Sequence, residues 1–265
     1  MSPATPPGET PHRYAPSLHL HGDPYSLALL ARLAHPEATQ PEVGRLAARL
    51  YDILFAKVAS MELVTEEAAV PTRMTALHPD QRWTGTRARR DQRVVVADVA
   101  RAGILGAQLF YDRFNELLDP SGVRQDHLFV GRQTDENGHV VGSEIKSAKI
   151  GGPLTGALLV IPDPMGATGG SLCEVLDHYE RIGAGRADRV VFAHLIVTPE
   201  YVQRMQRLHP EVQVHAMRLD RGLSSPRALA EPAGTHPAEE RGLDDHQYIV
   251  PGGGGFGEIL NNAFV

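Results

Sequence analysis

Within the nine residues "DPMGATGGS", Asp163 to Ser171, the chain carries one acid, two hydroxyls and an adjacent glycine pair. Such a group suits a small anionic ligand. Glycines let the backbone come close to a bound molecule. Thr168, Gly169, Gly170 and Ser171 fall where a following helix would expose unpaired N–H groups and the positive end of its dipole. A phosphate is the natural guest there. Asp163 would repel a phosphate, so it fits a ribose hydroxyl or a metal ion that accompanies the ligand. The spacing matches neither G-x-x-x-x-G-K-[ST] nor G-x-G-x-x-G. A plain strand-to-helix turn with Ser171 as cap is the competing reading.

Other reactive residue types are more scattered. Arg101, in "ARAG", follows an apolar run, and its planar guanidinium suits bidentate contact with phosphate oxygens. An arginine in a solvated turn is the plainer alternative. Arg132, taken alone, is a loop residue in water. "RARRDQR", Arg87 to Arg93, is a basic run, but the net charge of −6 favours a solvated loop over a nucleic-acid patch and speaks against an anionic-membrane surface. "HLHGD" sets His19 and His21 at a metal-like spacing with no further ligand cluster nearby in the sequence. Asp244, Asp245 and His246 look like an acid/base set without a nucleophile, which favours a solvated turn. The lone cysteine, Cys173, excludes an internal disulfide framework and fits a reducing cytoplasm. Its helical context suits a small apolar core residue.

The elements that must position these groups follow from periodicity. Leu158–Ile161 is a short apolar run of the kind found in a strand covered on both faces. After the turn, Leu172, Val175, Leu176 and Tyr179 recur at i, i+3, i+4 and i+7, one face of a helix. Upstream, residues 26–62 read as helical, with Leu46, Leu50, Ile53 and Leu54 on one face and a break at Pro36 and Pro41. "RVVVADVARAG" reads as a buried strand before a helix through "ILGAQLFYDRFNELL", then "HLFVG" as a strand and a hairpin turning at Asn137-Gly138. "RVVFAHLIV", "YVQRMQRL" and "EVQVHAMRL" continue as strand, helix and strand. Alternation of this kind predicts an α/β fold with a mostly parallel central sheet flanked by helices. Ligands of such sheets bind at the C-terminal ends of the strands, where the Asp163–Ser171 turn lies. The 265 residues suffice for one domain with a sizeable core, spanning 18–265. Residues 1–17 are expected to be a flexible Pro-rich tail, and the Ala-, Pro- and Ser-rich stretch at about 222–240 a mobile surface loop. No run approaches the roughly 18 apolar residues of a membrane span.

The turn also carries a resemblance. "DPMGATGGS" is very similar to the ribose-5-phosphate loop of uracil phosphoribosyltransferases, usually close to DPMLATGGS. "VVVADVARAGILG", the stretch from His194 to Asp220, and "RGLDDHQYIVPGGGGFGE" resemble further segments of that family, so that the likeness runs from about His19 to the C-terminus. It implies a phosphoribosyltransferase-like domain with a β-hairpin flap. The implied activity is transfer of the 5-phosphoribosyl group from PRPP to uracil, giving UMP and pyrophosphate, with Mg²⁺, in a cytoplasmic homodimer or higher homo-oligomer. On this resemblance Arg101, Arg132 and Asp163 are the catalytic residues. PRPP would be bound by those three with Pro164, Met165, Gly166, Ala167, Thr168, Gly169, Gly170 and Ser171. Lys149 would follow Arg132 on the flap, and Asp163 would help to place Mg²⁺. Uracil would be read by Ile249, Gly254, Gly255 and Phe256. The tail departs from the family's YIVPGLGDAGD: Gly255 replaces an aspartate that contacts PRPP, Phe256 a small residue, and Glu258 a second aspartate. Two alternatives therefore stand beside uracil transfer, a different base or a catalytically weak PRPP- or nucleotide-sensing regulator. The 222–240 stretch is an insertion relative to the family.

Overall fold

Alternating apolar residues of β4 (Arg93–Ala100) divide the interior of the computed structural model, which describes residues 9–134 and 140–263. Val94 and Val96 enter one core cluster, Val95, Ala97 and Val99 the other. A central strand buried on both faces gives this pattern. In chain order the elements are β1 (Leu18–Leu20), α1 (Pro24–Leu33), α2 (Glu42–Glu62), β2 (Thr65–Val70), β3 (Trp83–Ala88), β4 and α3 (Ile104–Leu117). Then come β5 (Val123–Thr134), β6 (Val140–Lys149), β7 (Ala157–Pro162), β8 (Met165–Gly166), α4 (Gly170–Arg181) and β9 (Arg189–Val197). The chain continues through α5 (Pro199–Leu208), β10 (Gln213–Leu219), α6 (Pro226–Ala230) and α7 (Phe256–Ile259).

The main sheet runs β1-β10-β9-β7-β4-β5-β6, with β8 added beside β9. Only the β5/β6 hairpin is antiparallel; the other pairings in this sheet are parallel. Helices α1–α3 pack on one face, and α4 and α5 on the other. The fold is the expected α/β class. Asp23 caps α1 by accepting from Tyr25 N and Ser26 N at 3.0 Å, with Pro24 opening the helix. Among the described residues no helix is long and apolar enough to cross a membrane.

Three features differ from the sequence expectation. Residues 65–88 carry a separate two-stranded unit, β2 with β3, whose half-exposed pattern has no apolar face for periodicity to detect. Residues 9–17 are not free: Thr10 N bonds Leu20 O at 2.7 Å and Arg13 N bonds Ala233 O at 2.6 Å. The 222–240 segment is likewise packed. Its Glu240 side chain is fully buried, accepting from Tyr14 OH at 2.6 Å, Gly234 N at 2.7 Å and Arg221 Nη1 at 3.3 Å. Arg221 donates further to Ala228 O and Glu231 O. Backbone carbonyls and one buried ion pair hold both segments down, and composition does not report such contacts.

The basic run is locally paired. Arg87 faces Glu66, Arg89 faces Asp91, Arg90 faces Asp119, and Arg93 donates to Thr155 O. Asp244 organises a turn by accepting from His246 N and Tyr248 N at 2.9 and 2.8 Å. Cys173 is half-buried on α4, and burial raises its thiol pKa.

Candidate active site

Asp163 to Ser171 is suspended between β7 and α4 by bonds from the end of β9. Ile196 N donates to Pro164 O at 3.0 Å, and Thr198 N to Gly166 O at 3.1 Å. The Thr198 hydroxyl donates to Ala167 O at 2.6 Å while accepting from Tyr201 N at 3.0 Å, so one side chain both fixes the turn and caps α5. Gly169 precedes α4 at φ +77°, a conformation that favours glycine. A Cβ there would lie 2.7 Å from Met205 Cε and 3.2 Å from Tyr201 Cδ2. Gly169 thus makes room for α5 rather than for a ligand. Gly170 faces the more open side. A Cβ on it would meet Arg204 Nη1 at 3.4 Å and Ser143 Oγ at 3.5 Å. Ser143 on β6 also lies 3.4 Å, oxygen to oxygen, from Ser171, which places the hairpin beside the turn. The α4 N-terminus, three hydroxyls and the Arg204 guanidinium together make a surface chemically suited to an anion. Arg204 was not legible in the sequence, because only the seating of α5 against the turn brings it there.

Asp163 follows β7, and its Oδ1 accepts from Met165 N at 3.0 Å. Burial pushes its carboxyl pKa up to about 6, against the opposing pull of that hydrogen bond. Beneath it, His194 Nδ1 is 2.7 Å from the Asp163 carbonyl and Nε2 is 2.7 Å from Tyr201 OH. A carbonyl only accepts, so Nδ1 carries the proton and Nε2 accepts from the tyrosine. Burial lowers the His194 pKa to about 4 and keeps the ring neutral. The result is a rigid neutral floor under a carboxyl that gains from a nearby cation or hydrogen-bond donor.

Arg101 leaves the C-terminal end of β4 and is exposed, with Nη1 donating to Ala263 O at 3.2 Å. A Cβ on the neighbouring Gly103 would be 3.0 Å from Pro162 O, so the ends of β4 and β7 adjoin. The tail returns to the same place. Arg218 pairs bidentately with Asp220 at 2.5 and 2.8 Å, and Asp220 Oδ2 accepts from Gly252 N at 2.8 Å. Glu200 accepts from Gly242 N at 3.0 Å and Leu243 N at 3.2 Å, and Ile249 bridges to Leu243. A Cβ on Gly253 would lie 3.4 Å from Met165 Cε, and one on Gly257 would lie 3.9 Å from Ala102 Cβ. Arg218, Asp220 and Glu200 position this tail. In sequence they read only as charges flanking secondary structure.

Two tail residues behave differently from expectation. Phe256 is 3% exposed and belongs to the core cluster against which the partly buried Met165, Ile249 and Ile259 pack. Its ring therefore supports the tail from beneath instead of reshaping an open pocket. Gly255 leaves no empty space either, since Glu258 Oε2 occupies the place that a Cβ at 255 would take. Gly254 adopts φ +79°. Arg132 lies on β5, but its side chain, like the hairpin turn at Asn137-Gly138, is outside the described residues. Lys149, at the end of β6, is exposed.

The family model described as uracil phosphoribosyltransferase matches residues 23–234, most of the chain, ending before the 241–258 tail. A uracil phosphoribosyltransferase from a Thermoanaerobacter species is 32% identical over 102 residues, 38% of this chain and 38% of that protein. One from Burkholderia thailandensis is 35% identical over 103 residues, 39% of this chain and 38% of that protein. The aligned region thus spans under two fifths of each relative's length. The AQ2163 protein of Aquifex aeolicus shares the fold, with a TM-score of 0.68 at 20% identity, covering 94% of this chain and 99% of that one. The chain belongs to the uracil phosphoribosyltransferase family.

Proposed function

We propose that the protein transfers the 5-phosphoribosyl group of PRPP to uracil, giving UMP and pyrophosphate. The observation that carries this reading is convergence: the Asp163–Ser171 turn, Arg101 and the tail around Ile249 and Gly254 meet at the C-terminal ends of β4 and β7. In the reaction a C–N bond forms between the uracil ring and the anomeric carbon. The C–O bond to pyrophosphate breaks with its electron pair leaving on the pyrophosphate oxygen, and the ring nitrogen gives up its proton to solvent. The backbone from Pro164 to Ala167 sets the turn, Gly169 seats it against α5, and Thr168, Gly170 and Ser171 hold the 5-phosphate, with Arg204 beside them. Ionised Asp163 accepts from the ribose hydroxyls. Arg101 and Arg132 donate to the departing pyrophosphate, where charge builds up. The β5/β6 hairpin covers the turn and excludes competing water. Backbone groups at Ile249, Gly254 and Gly255 read the uracil edge, with Phe256 as their support.

The Asp163 carboxyl fits Mg²⁺. It is a hard oxygen donor made more basic by burial, and this ion typically takes one or two carboxylates plus substrate phosphates. Bound there with PRPP, Mg²⁺ would neutralise charge on the leaving group. A homodimer or higher homo-oligomer is part of the same proposal. Its support is the β2/β3 unit and the residues between, where Met74, Leu77 and Trp83 are 54%, 73% and 46% exposed. A cytoplasmic setting is part of the same proposal, supported by the lone cysteine, which suits a reducing compartment.

Pyrophosphate release measured with uracil, cytosine and a larger pyrimidine tests the proposal. Uracil should turn over. Cytosine should be rejected by about 10⁴, because its amino group would face a backbone donor and leave it unpaired. Turnover with another ring only would assign a different base. PRPP binding without turnover on any base would assign a sensing role.

A further inference from the structure

The fold supplies what the His19/His21 spacing lacks. Parallel pairing of β1 with β10 sets His19 opposite His215, and the two rings stack with centroids 4.6 Å apart. Glu62, the last residue of α2, reaches the same place. One ring nitrogen from each histidine and one carboxylate oxygen of Glu62 lie within 4.8 Å of one another. His215 is fully buried and the Glu62 side chain 1% exposed. His215 Nε2 is 2.7 Å from Glu62 Oε1, and its Nδ1 is 2.9 Å from His21 Nε2. His19 Nδ1 is 2.9 Å from Glu9 Oε1, while its Nε2 faces Gln213 Oε1 at 3.4 Å. The second oxygen of Glu62 pairs with Arg189, the first residue of β9. None of these groups serves the phosphate turn or the tail. The histidines sit on β1 and β10 or just past β1, at the outer edge of the sheet, with Glu62 of α2 and Arg189 of β9 reaching in beside them.

We propose that His19, His215 and Glu62 form a structural site for one divalent transition-metal ion, with Zn²⁺ as its occupant. Two imidazoles and one carboxylate are a donor set that suits Zn²⁺ better than a hard cation such as Ca²⁺ or Mg²⁺. Each ligand has the outer partner that fixes its orientation: Glu9 for His19, His21 for His215 and Arg189 for Glu62. Without the ion, His21 Nε2–H donates to His215 Nδ1, and His215 Nε2–H donates to Glu62. With it, the ion takes the place of the proton between His215 and Glu62. The His215 Nε2 proton goes to solvent, the His21 Nε2 proton passes to His215 Nδ1, and His21 takes a proton from solvent at Nδ1, so both rings stay neutral with no net proton released. Water or the Gln213 amide oxygen completes the coordination. The ligands come from β1, β10 and α2, so the bound ion pins the edge strand to the sheet and to the long helix. Its role is stability, separate from base transfer.

The test uses the full chain, stripped with a chelator and titrated with Co²⁺ and then Zn²⁺. One Co²⁺ per chain should give the visible absorption of a four-coordinate site, and Zn²⁺ should displace it. At a hundredfold excess over Kd, Zn²⁺ should raise Tm by about 5–10 °C. His19→Ala and Glu62→Gln should each abolish the absorption and the Tm rise, while His78→Ala, at an exposed position, keeps both. No visible absorption with stoichiometric Co²⁺ would overturn the assignment. So would an unchanged spectrum and Tm rise in His19→Ala. Should a variant fail to fold, the parent spectrum and its stoichiometry decide alone.

Discussion

Replacing Glu240 with alanine removes an acceptor that three donors share. Tyr14 OH, Gly234 N and Arg221 Nη1 all point at this carboxylate, whose side chain is completely buried. Breaking a buried ion pair from one side typically costs about 3–5 kcal/mol, because the remaining charge is left without compensation. Here Arg221 keeps Ala228 O and Glu231 O as acceptors and is 16% exposed, so the lower end applies, about 3 kcal/mol. For a chain of this size each kcal/mol moves Tm by about 2–4 °C, so Glu240→Ala should melt about 6–12 °C below the parent. Tyr14→Phe removes one donor and leaves Glu240 with two, which should cost about 1 kcal/mol. Urea denaturation of both single variants and the double variant gives their coupling. Residues that share a network couple by about 0.5–3 kcal/mol, whereas independent ones add. A Glu240→Ala protein melting within a degree of the parent would refute the reasoning and return the 222–240 segment to a loose surface loop. The same outcome would follow if a short-linker deletion of that segment left Tm unchanged.

Other expectations concern the site. Arg101→Ala should lower kcat by about 10²–10³ with Tm unchanged, since it removes one donor from the developing charge of the leaving group; a parental kcat in this variant would remove Arg101 from the reaction. With its pKa held near 6, Asp163 is ionised only above that value, so kcat/KM should rise with pH through about 6. That limb should be missing from the profile of Asp163→Asn. The same shift makes the folded chain hold this proton more tightly than the unfolded one, so the stability Asp163 contributes falls as pH rises through about 6. Gly169→Val should destabilise by about 2–4 kcal/mol from the left-handed backbone and the clash with Met205, whereas Gly170→Ala should fold normally. Equal melting of the two variants would contradict the different roles assigned to adjacent glycines.

The strands and helices that hold the turn could be read from periodicity because each buries a continuous apolar face. Arg189–Val197 and the α4 face of Leu172, Val175 and Tyr179 stand where the spacing puts them. The same reading passes over β2 and β3, whose residues are mostly wet and whose pairing is with each other. At the site, the nature of the Asp163–Ser171 turn was visible because its residue types are unusual together. Its supports were not. Thr198 acts through one carbonyl, Asp220 through a backbone N–H 32 positions away, and Arg204 through the seating of α5 against the turn. Phe256 shows the opposite failure. A large ring beside a ligand-reading backbone suggests a pocket wall, and only packing reveals that it faces inward.

Pairing of β1 with β10 also bears on the order in which the chain can assemble. His21 meets His215 across 194 positions, and among the described residues β1 has no other strand beside it. At about 5–20 residues per second, a ribosome delivers that stretch in roughly 10–40 s. Throughout that interval the first strand is outside the peptidyl-transferase centre with its partner not yet synthesised. During synthesis the sheet can therefore close at its N-terminal edge only once β10 is made, after the strands on which the phosphate turn depends.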